Sequence, residues 1–532
     1  MSRLPTIPGF TGPTMLDRAI NVVAPVYGAR RMQARVQIAM AGQYAGAKSN
    51  KTALKSWQTN PGSADADTLG DLTTLRARSR DLGRNNPIAR GARATAKSHT
   101  VGTGLKLRSQ IDREMLGLTE EQAEKWERNA EKLFDLWACS TACDVSLTQN
   151  FYQLQGLVFD TTFESGDSFI LRRKAKMRSV VSLALAVIEA DRVDTPQSMA
   201  ADPDIRSGVR IDEDGAPLSY FFLSEHPGDH YFRTYLDYQE IPAFGQESGE
   251  RMVLHVYRRL RPEQTRGVPE LAPIIEILKQ LDRYTEAEIM AAVVSSFFTV
   301  FVKSDSGDDV LAGATDPLPG MGKDEITLGS GAIVSIGKEE DVVAANPARN
   351  NSNFDPFMSA ILRQIGVALS IPYELLVMHF EASYSASRAA LEMAAKFFAE
   401  RREWLVTTFC QPVYEWFLTD AINAGLIDAP GFFGSAVRRA AWAKALWKPP
   451  TGLVIDPVKE AEADKLNVDL GVTTLESVTL TRNGGDWKQV TEQRGREHAA
   501  RVAAKLEPEI LDPSKTGLPK PEPEAKPKKA DA

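Results

Sequence analysis

The stretch Asp355-Pro-Phe-Met-Ser-Ala-Ile-Leu-Arg-Gln-Ile-Gly-Val-Ala-Leu-Ser370, continued through Ile371-Pro372 to Trp416, decides how the rest of the chain is read. Asp355 followed by Pro356 is a helix start: a carboxylate to cap free N–H groups, then a ring whose φ suits a first turn. Phe357, Ile361, Ile365 and Leu369 recur every four residues and share one helical face. Pro372 disfavours the α conformation at Ile371 and stops that helix. A second helix follows, because Leu391, Ala395, Phe398, Arg402, Leu405 and Phe409 step by fours and threes. Ser385 or Ser387 is a candidate cap for it, and Pro412 is expected to bend its far end. Between the helices, residues 373–385 read as an irregular loop containing Val377, Met378, His379, Phe380, Glu381, Ser383 and Tyr384. A long, partly apolar loop between two rigid helices points to function.

At 532 residues the chain exceeds one core, and two to four domains are expected. The formal charge of −7 excludes a generally cationic nucleic-acid coat. Cys139, Cys143 and Cys410 are too few for a disulfide framework, and the first two lack further ligands for a metal. The N-terminus does not read as a signal peptide, and the apolar run Ile289–Val302 is interrupted by Ser and Thr, so no membrane span is expected.

In chain order, residues 1–65 read as a partly ordered arm rich in Gly, Pro, Ala and Ser. A basic stripe follows on helical spacing: Arg76, Arg80 and Arg84, then Arg90, Arg93 and Lys97 after the helix restart at Asn86-Pro87. It is a candidate contact with phosphate or an acidic partner, set against an ordinary solvated helix face. Gly102-Thr-Gly104 turns the chain into a strand, and Thr119 with Gln122 forms a capping box for a helix over 118–139. Helix 151–163 precedes strands at 168–172, 180–189, 218–223 and 252–257, an α+β arrangement of antiparallel pieces. His226 and His230 flank Pro-Gly-Asp and read as a turn rather than a metal site. A helix over 273–298, about 39 Å long at 1.5 Å per residue, carries the polar stripe Glu276, Lys279, Arg283 and Glu286 opposite Ile274, Leu278 and Leu281. Residues 300–350 are strand- and turn-rich. A short helix ends at Trp447, helices then start near Pro457, Thr474 and Trp487, and the Pro/Glu/Lys tail 507–532 reads as disordered.

No P-loop, GxSxG, HExxH or paired CxxC occurs, no cofactor or metal is expected, and the chain reads as non-enzymatic.

Several patches together resemble the lambda-like branch of tailed-phage portal proteins. They are Arg80-Asp-Leu-Gly-Arg-Asn-Asn-Pro87 with Val101-Gly-Thr-Gly104, Gln264-Thr-Arg-Gly-Val-Pro269, Tyr384-Ser-Ala-Ser-Arg-Ala-Ala-Leu391, Phe409-Cys-Gln-Pro-Val-Tyr-Glu-Trp416 and Ala429-Pro-Gly-Phe-Phe433. The resemblance implies an α+β portal-type fold: wing (66–270), stem helix (271–299), β-rich clip (300–352), second stem helix (353–371), tunnel loop (372–386), long helix and remainder of the wing (387–450), and helical crown (451–506). It implies a homo-oligomeric ring, usually of twelve subunits, at one capsid vertex of the virion, assembled in the host cytoplasm. That ring is the passive channel for packaging and ejecting double-stranded DNA. Its implied partners are terminase, a head–tail connector and the major capsid or scaffold protein, with the tunnel loop facing DNA. The alternative is another ring-forming virion component, such as a head–tail adaptor or capsid protein.

Overall fold

A computed structural model describes residues 14–40, 52, 56–57, 59, 61–229, 237–296, 300–303, 333–336, 354–380, 384–448, 457–483, 485, 487–504 and 506. The chain separates into two compact units, Met1–Ser63 and Ala64–Ala532. In the first, helix α1 (Met15–Val23) runs through Ala24 into α2 (Pro25–Met40). The Ala24 amide donates to Ile20 O at 2.7 Å and the Gly28 amide to Ala24 O at 3.1 Å, so the Pro25 ring sits in a joint between helices.

The second unit opens with helices α3 (Ala64–Thr68), α4 (Leu72–Asn85) and α5 (Pro87–Thr100). Asn86 ends α4 and caps α5, its Oδ1 accepting from the Ala89 amide at 2.8 Å, with Pro87 at the first helical position. Strand β1 (Lys106–Ser109), the short α6 (Arg113–Leu116), α7 (Glu120–Ala138) and α8 (Phe151–Ser165) follow. Both halves of the expected capping box form at α7, Thr119 with Gln122, and a second caps α8 through Asn150 and Gln153.

Strands β2 (Asp167–Lys174), β3 (Leu183–Glu189), β4 (Ile205–Arg206), β5 (Val209–Ile211), β6 (Pro217–Leu223), β7 (Tyr238–Pro242) and β8 (Val253–Tyr257) build two antiparallel sheets, ordered β3-β2-β8 and β4-β5-β6-β7. Register is set by the alternation of buried residues: Ile170 faces Leu254, and Tyr220 faces Ile241. The sheets share a small core in which Phe169 meets Tyr220 and Phe222 edge-on at 5.6 and 5.7 Å.

After the 3₁₀ turn Ala272–Ile274 comes the long helix α9 (Ile275–Ser296). Its 22 described residues span about 33 Å; it starts two residues later than expected because Ala272–Ile274 takes the tighter turn, and residues 297–298 of the expected helix lie outside the described residues. Strands β9 (Val300–Lys303) and β10 (Ile333–Ile336) pair in parallel, and the remainder of 300–353 lies outside the described residues. Next are α10 (Phe354–Leu369), α11 (Tyr373–Val377), α12 (Tyr384–Leu405), α13 (Gln411–Asn423), α14 (Ala436–Ala443) and strand β11 (Ala445–Lys448). β11 pairs antiparallel with β1. Trp447 therefore lies on a strand rather than at a helix end, buried among Phe134, Phe151 and their neighbours in the main core. Helices α15 (Pro457–Asp469), α16 (Leu475–Asn483) and α17 (Trp487–Ala503) close the described chain, and the 507–532 tail lies outside it.

The main core centres on Phe134, which meets Phe417 at 5.1 Å and Tyr414 and Trp137 at 5.5 Å. Removing one such ring typically costs about 3–5 kcal/mol.

One carboxylate joins these layers. Asp167 is fully buried and receives Arg266 Nε at 2.6 Å, Arg76 Nη2 at 2.9 Å and the Gly267 amide at 3.3 Å, with His255 Nε2 at 3.2 Å. The chains cross here at two glycines. A Cβ on Gly166 would lie 2.4 Å from Gly267 O, and one on Gly267 2.0 Å from Gly166 O. Burial alone would raise the Asp167 pKa, but Arg266, Arg76 and the His255 hydrogen bond outweigh it and hold the carboxyl well below its ordinary range. Burial pushes His255 down to about 4 despite the opposing carboxylate, so the imidazole is neutral in the fold, stacked between Phe169 and Tyr257.

Both groups lose stabilisation in acid. Asp167, with its depressed folded pKa, contributes above its unfolded value of about 4 and loses that contribution below it. His255 must take up a proton in a site that disfavours it, so stability falls as pH drops from about 6.5 toward 4, by roughly 3 kcal/mol at most from this residue. We expect the melting temperature followed by circular dichroism to fall across that window, and His255→Phe to flatten the fall. An equally steep pH dependence in the variant would remove His255 from the cause.

Candidate functional site

The site is built from the end of α10 forward. Ser370 takes φ +56°, and the Ile371 amide turns back to Gly366 O at 2.8 Å. Gly366 permits this, since a Cβ there would sit 2.6 Å from Ile371 O. Pro372 then occupies the N-cap of α11, whose Leu375 and Leu376 are buried. The expected irregular stretch is therefore shorter than 373–385, because Tyr373–Val377 is one helical turn held down by those two leucines. Five residues carry too little periodicity for a helical reading.

The turn ends at Met378 in the left-handed region, φ 54° and ψ 35°, with the His379 amide donating to Glu374 O at 3.0 Å. A β-carbon in this conformation costs about 1–2 kcal/mol, and strain of this kind concentrates at functional sites. Val377 packs against the main core, whereas Met378 and Phe380 are 70% and 48% exposed and His379 is exposed. Glu381 and Ser383 lie outside the described residues, and Tyr384 opens α12.

Below this tip, α12 is fixed by its C-terminal half. Phe398 is buried and stacks on His99 at 5.0 Å. Arg402 donates to His99 O and Thr100 O at 3.0 and 3.2 Å, a cation on the C-terminal carbonyls of α5. Arg401 and Arg258 each reach Glu270 at 2.9 Å. Burial would raise the Glu270 pKa, but the two guanidiniums hold it below its ordinary value. Ser387 is an interior helix residue rather than a cap, and Ala394, not Ala395, is the buried alanine of the seam. The far end carries a π-turn at Val406–Cys410, two residues before Pro412. Pro412 has no N–H and its ring crowds the carbonyl four residues back, which the wider turn accommodates.

Helices α9 and α10 meet through Tyr284, whose ring lies 5.0 Å from Phe357 and 5.7 Å from Phe354. On α9, Glu276, Lys279, Arg283 and Glu286 are exposed, while Ile274 in the preceding 3₁₀ turn and Leu278 and Leu281 on the helix are buried. Asn86 Nδ2 donates to Asp282 Oδ1 at 2.7 Å and ties the α4–α5 joint to this helix.

The basic stripe divides. Arg76 is 4% exposed and belongs to the Asp167 cluster, so it is not available to another chain. Arg80 pairs with Asp191, Arg93 with Glu164 at 3.1 Å, and Lys97 with Asp160 at 2.6 Å. Arg84 and Arg90 remain exposed. These carboxylates sit on α8 and beyond β3, far away in sequence, so helical spacing alone marked the cations as one surface. Residues 226–229 form the expected turn, with His226 beside Glu189 and Asp191; His230 lies outside the described residues.

Sequence reasoning missed Asp167, Glu270 and Asp65, whose carboxylate accepts from the Thr265 amide and hydroxyl at 2.8 and 2.6 Å. The available signal was Gln264-Thr-Arg-Gly267: polar residues packed without period, all four buried. No group of three or more His, Cys, Asp or Glu side chains fit to hold a metal ion occurs among the described residues, and none of the described helices is long and apolar enough to cross a membrane.

The pattern described as phage portal protein, lambda family, matches residues 50–402. The chain belongs to the lambda family of phage portal proteins. Among curated relatives it is 25% identical to portal protein B of Escherichia phage lambda, covering 88% of this chain and 91% of that protein. It is 25% identical to the portal protein of Escherichia phage N15, covering 88% and 92%. Solved structures that resemble it include the neck of a native gene transfer agent particle computed with C12 symmetry, with TM-score 0.38, 14% identity and coverage of 76% of this chain and 93% of that one. A virion of a native gene transfer agent particle gives TM-score 0.39, 15% identity and coverage of 79% and 97%. The protein is a phage portal protein.

Replacing Met378 by Gly removes the left-handed penalty at the cost of a more flexible unfolded chain. The variant is expected to be between unchanged and about 1 kcal/mol more stable in urea unfolding. A loss above about 1 kcal/mol would show that the Met378 side chain packs.

Proposed function

We propose that this portal protein forms a closed ring, of twelve subunits by family resemblance, at one capsid vertex, and that double-stranded DNA passes through it during packaging and ejection. The supporting observation is the order α9, inserted strand pair, α10, exposed strained tip, long α12. In this reading α9 and α10 are the stem, β9 and β10 belong to the clip, residues 66–270 and 387–450 are the wing, and α15–α17 are the crown. The clip meets terminase and later the head–tail connector. The protein acts passively, without catalysis or a cofactor, and is assembled in the host cytoplasm.

In the ring the tip at Met378–Phe380, with Glu381, Ser383 and Tyr384, faces the channel. It carries bulky side chains and a carboxylate but no Lys or Arg, which suits a narrow, weakly repulsive constriction through which a polyanion slides. A contact of the basic stripe with a neighbouring subunit, scaffold or capsid protein falls to Arg84 and Arg90, the members that stay exposed.

The ring follows from head-to-tail packing of identical subunits, and light scattering with negative-stain images tests it. Replacing 377–383 by a Gly-Ser linker is expected to leave rings intact, since α10 and α12 keep their anchors, while packaging or retention of DNA fails. A variant that packages and holds a full genome would remove the loop from the mechanism. Reversing Arg84 and Arg90 to Glu is expected to impair ring or procapsid assembly, and normal assembly would reassign them to solvent.

A further inference from the structure

The net charge of −7 conceals a segregation. Residues 1–63 hold eight Lys and Arg against one acidic residue, Asp17, a net of +7; residues 64–532 hold the other 55 basic and 69 acidic residues, a net of −14. The charge boundary coincides with the division of the chain into compact units.

Within the first unit the cations share a helix face with an aromatic ring. Tyr27 on α2 is 70% exposed, and Arg30 and Arg31, three and four residues on, are exposed beside it. Arg35 falls one turn after Arg31, and by the same spacing Val26, Ala29, Met32 and Val36 take the opposite side. Trp57, also 70% exposed, follows Lys51 and Lys55 in sequence. The stripe at Arg76–Lys97 differs in that no aromatic residue lies among its cations.

We infer that the N-terminal unit is a sequence-independent nucleic-acid contact in which the α2 face of Tyr27, Arg30 and Arg31, with Arg35 one turn further along the sequence, grips the phosphate backbone. The arginines neutralise phosphates and release counterions. The Tyr27 hydroxyl supplies a neutral donor to a phosphate oxygen. A body of net −14 repels a polyanion, so attraction is concentrated on the arm. A lipid surface is the competing partner, because cations on one side of α2 and apolar residues on the other also suit an anionic bilayer, and the vesicle arm of the test separates the two.

The test uses the full chain and its Arg30→Gln, Arg31→Gln, Arg35→Gln variant, with a short random-sequence DNA duplex followed by fluorescence anisotropy between about 50 and 200 mM salt. The starting protein should bind with steep salt dependence. The triple variant should bind at least about tenfold more weakly at the low-salt end, with the log–log slope reduced by about 2–3, near 0.9 per lost phosphate contact. Circular dichroism of the variant should be unchanged, since Arg30 and Arg31 are exposed. The 377–383 linker variant should bind the duplex as the starting protein does, which separates the arm from the channel reading. Absence of duplex binding by the starting protein, or an unaltered slope in the triple variant, overturns the inference. So does binding to phosphatidylserine vesicles that the triple substitution abolishes while duplex binding is unaffected.

Discussion

A buried carboxylate flanked by two guanidiniums sets the geometry on which the rest depends. Asp167 begins β2, Arg76 comes from α4, His255 from β8, and Arg266 from the segment leading to α9. The Arg266 guanidinium is spent inside the fold. It also donates to the carbonyls of Ala190 and Val193 at 2.7 and 2.9 Å, and it lies over the Phe169 ring at 5.1 Å. Removing one partner of such a cluster strands a buried charge, at a cost of about 3–5 kcal/mol. The two glycines at the crossing let the backbones approach closely enough for the Gly267 amide to join the same carboxylate.

Polar ties carry that rigidity outward. Glu270, just past the Arg266 segment, holds Arg401 of α12, Arg402 of the same helix sits on the end of α5, and Asn86 at the start of α5 holds Asp282 of α9. Each tie uses a charged or capping group that the fold leaves with a defined partner, so α5, α9 and α12 are fastened to the same framework. The tip at Met378–Phe380 lies outside these ties, with exposed side chains and a left-handed residue.

Charge is arranged with the same economy. Within the second unit, Arg80, Arg93 and Lys97 of α4 and α5 are neutralised by carboxylates of α8 and the segment after β3, and Arg76 by Asp167 of β2. What then distinguishes the units is their balance, +7 against −14, a contrast that a whole-chain average hides.

The sequence by itself determined the helices that carry long periodic patterns and strong ends: the α7 capping box, the Asn86-Pro87 restart, the Phe357–Leu369 face, and the helix starts near Pro457 and Trp487. Those signals are local, written within one or two turns of chain. It also carried the family, through short patches whose order runs most of its length. Tertiary structure alone decided which cations were available, because Arg76 and Asp167 are 91 residues apart. It likewise turned Trp447 into a strand residue by supplying β1 as partner, and folded Tyr373–Val377 into a helical turn by burying Leu375 and Leu376. Five residues cannot establish a period, and a charge does not name its counter-ion. Both are settled by what packs against them.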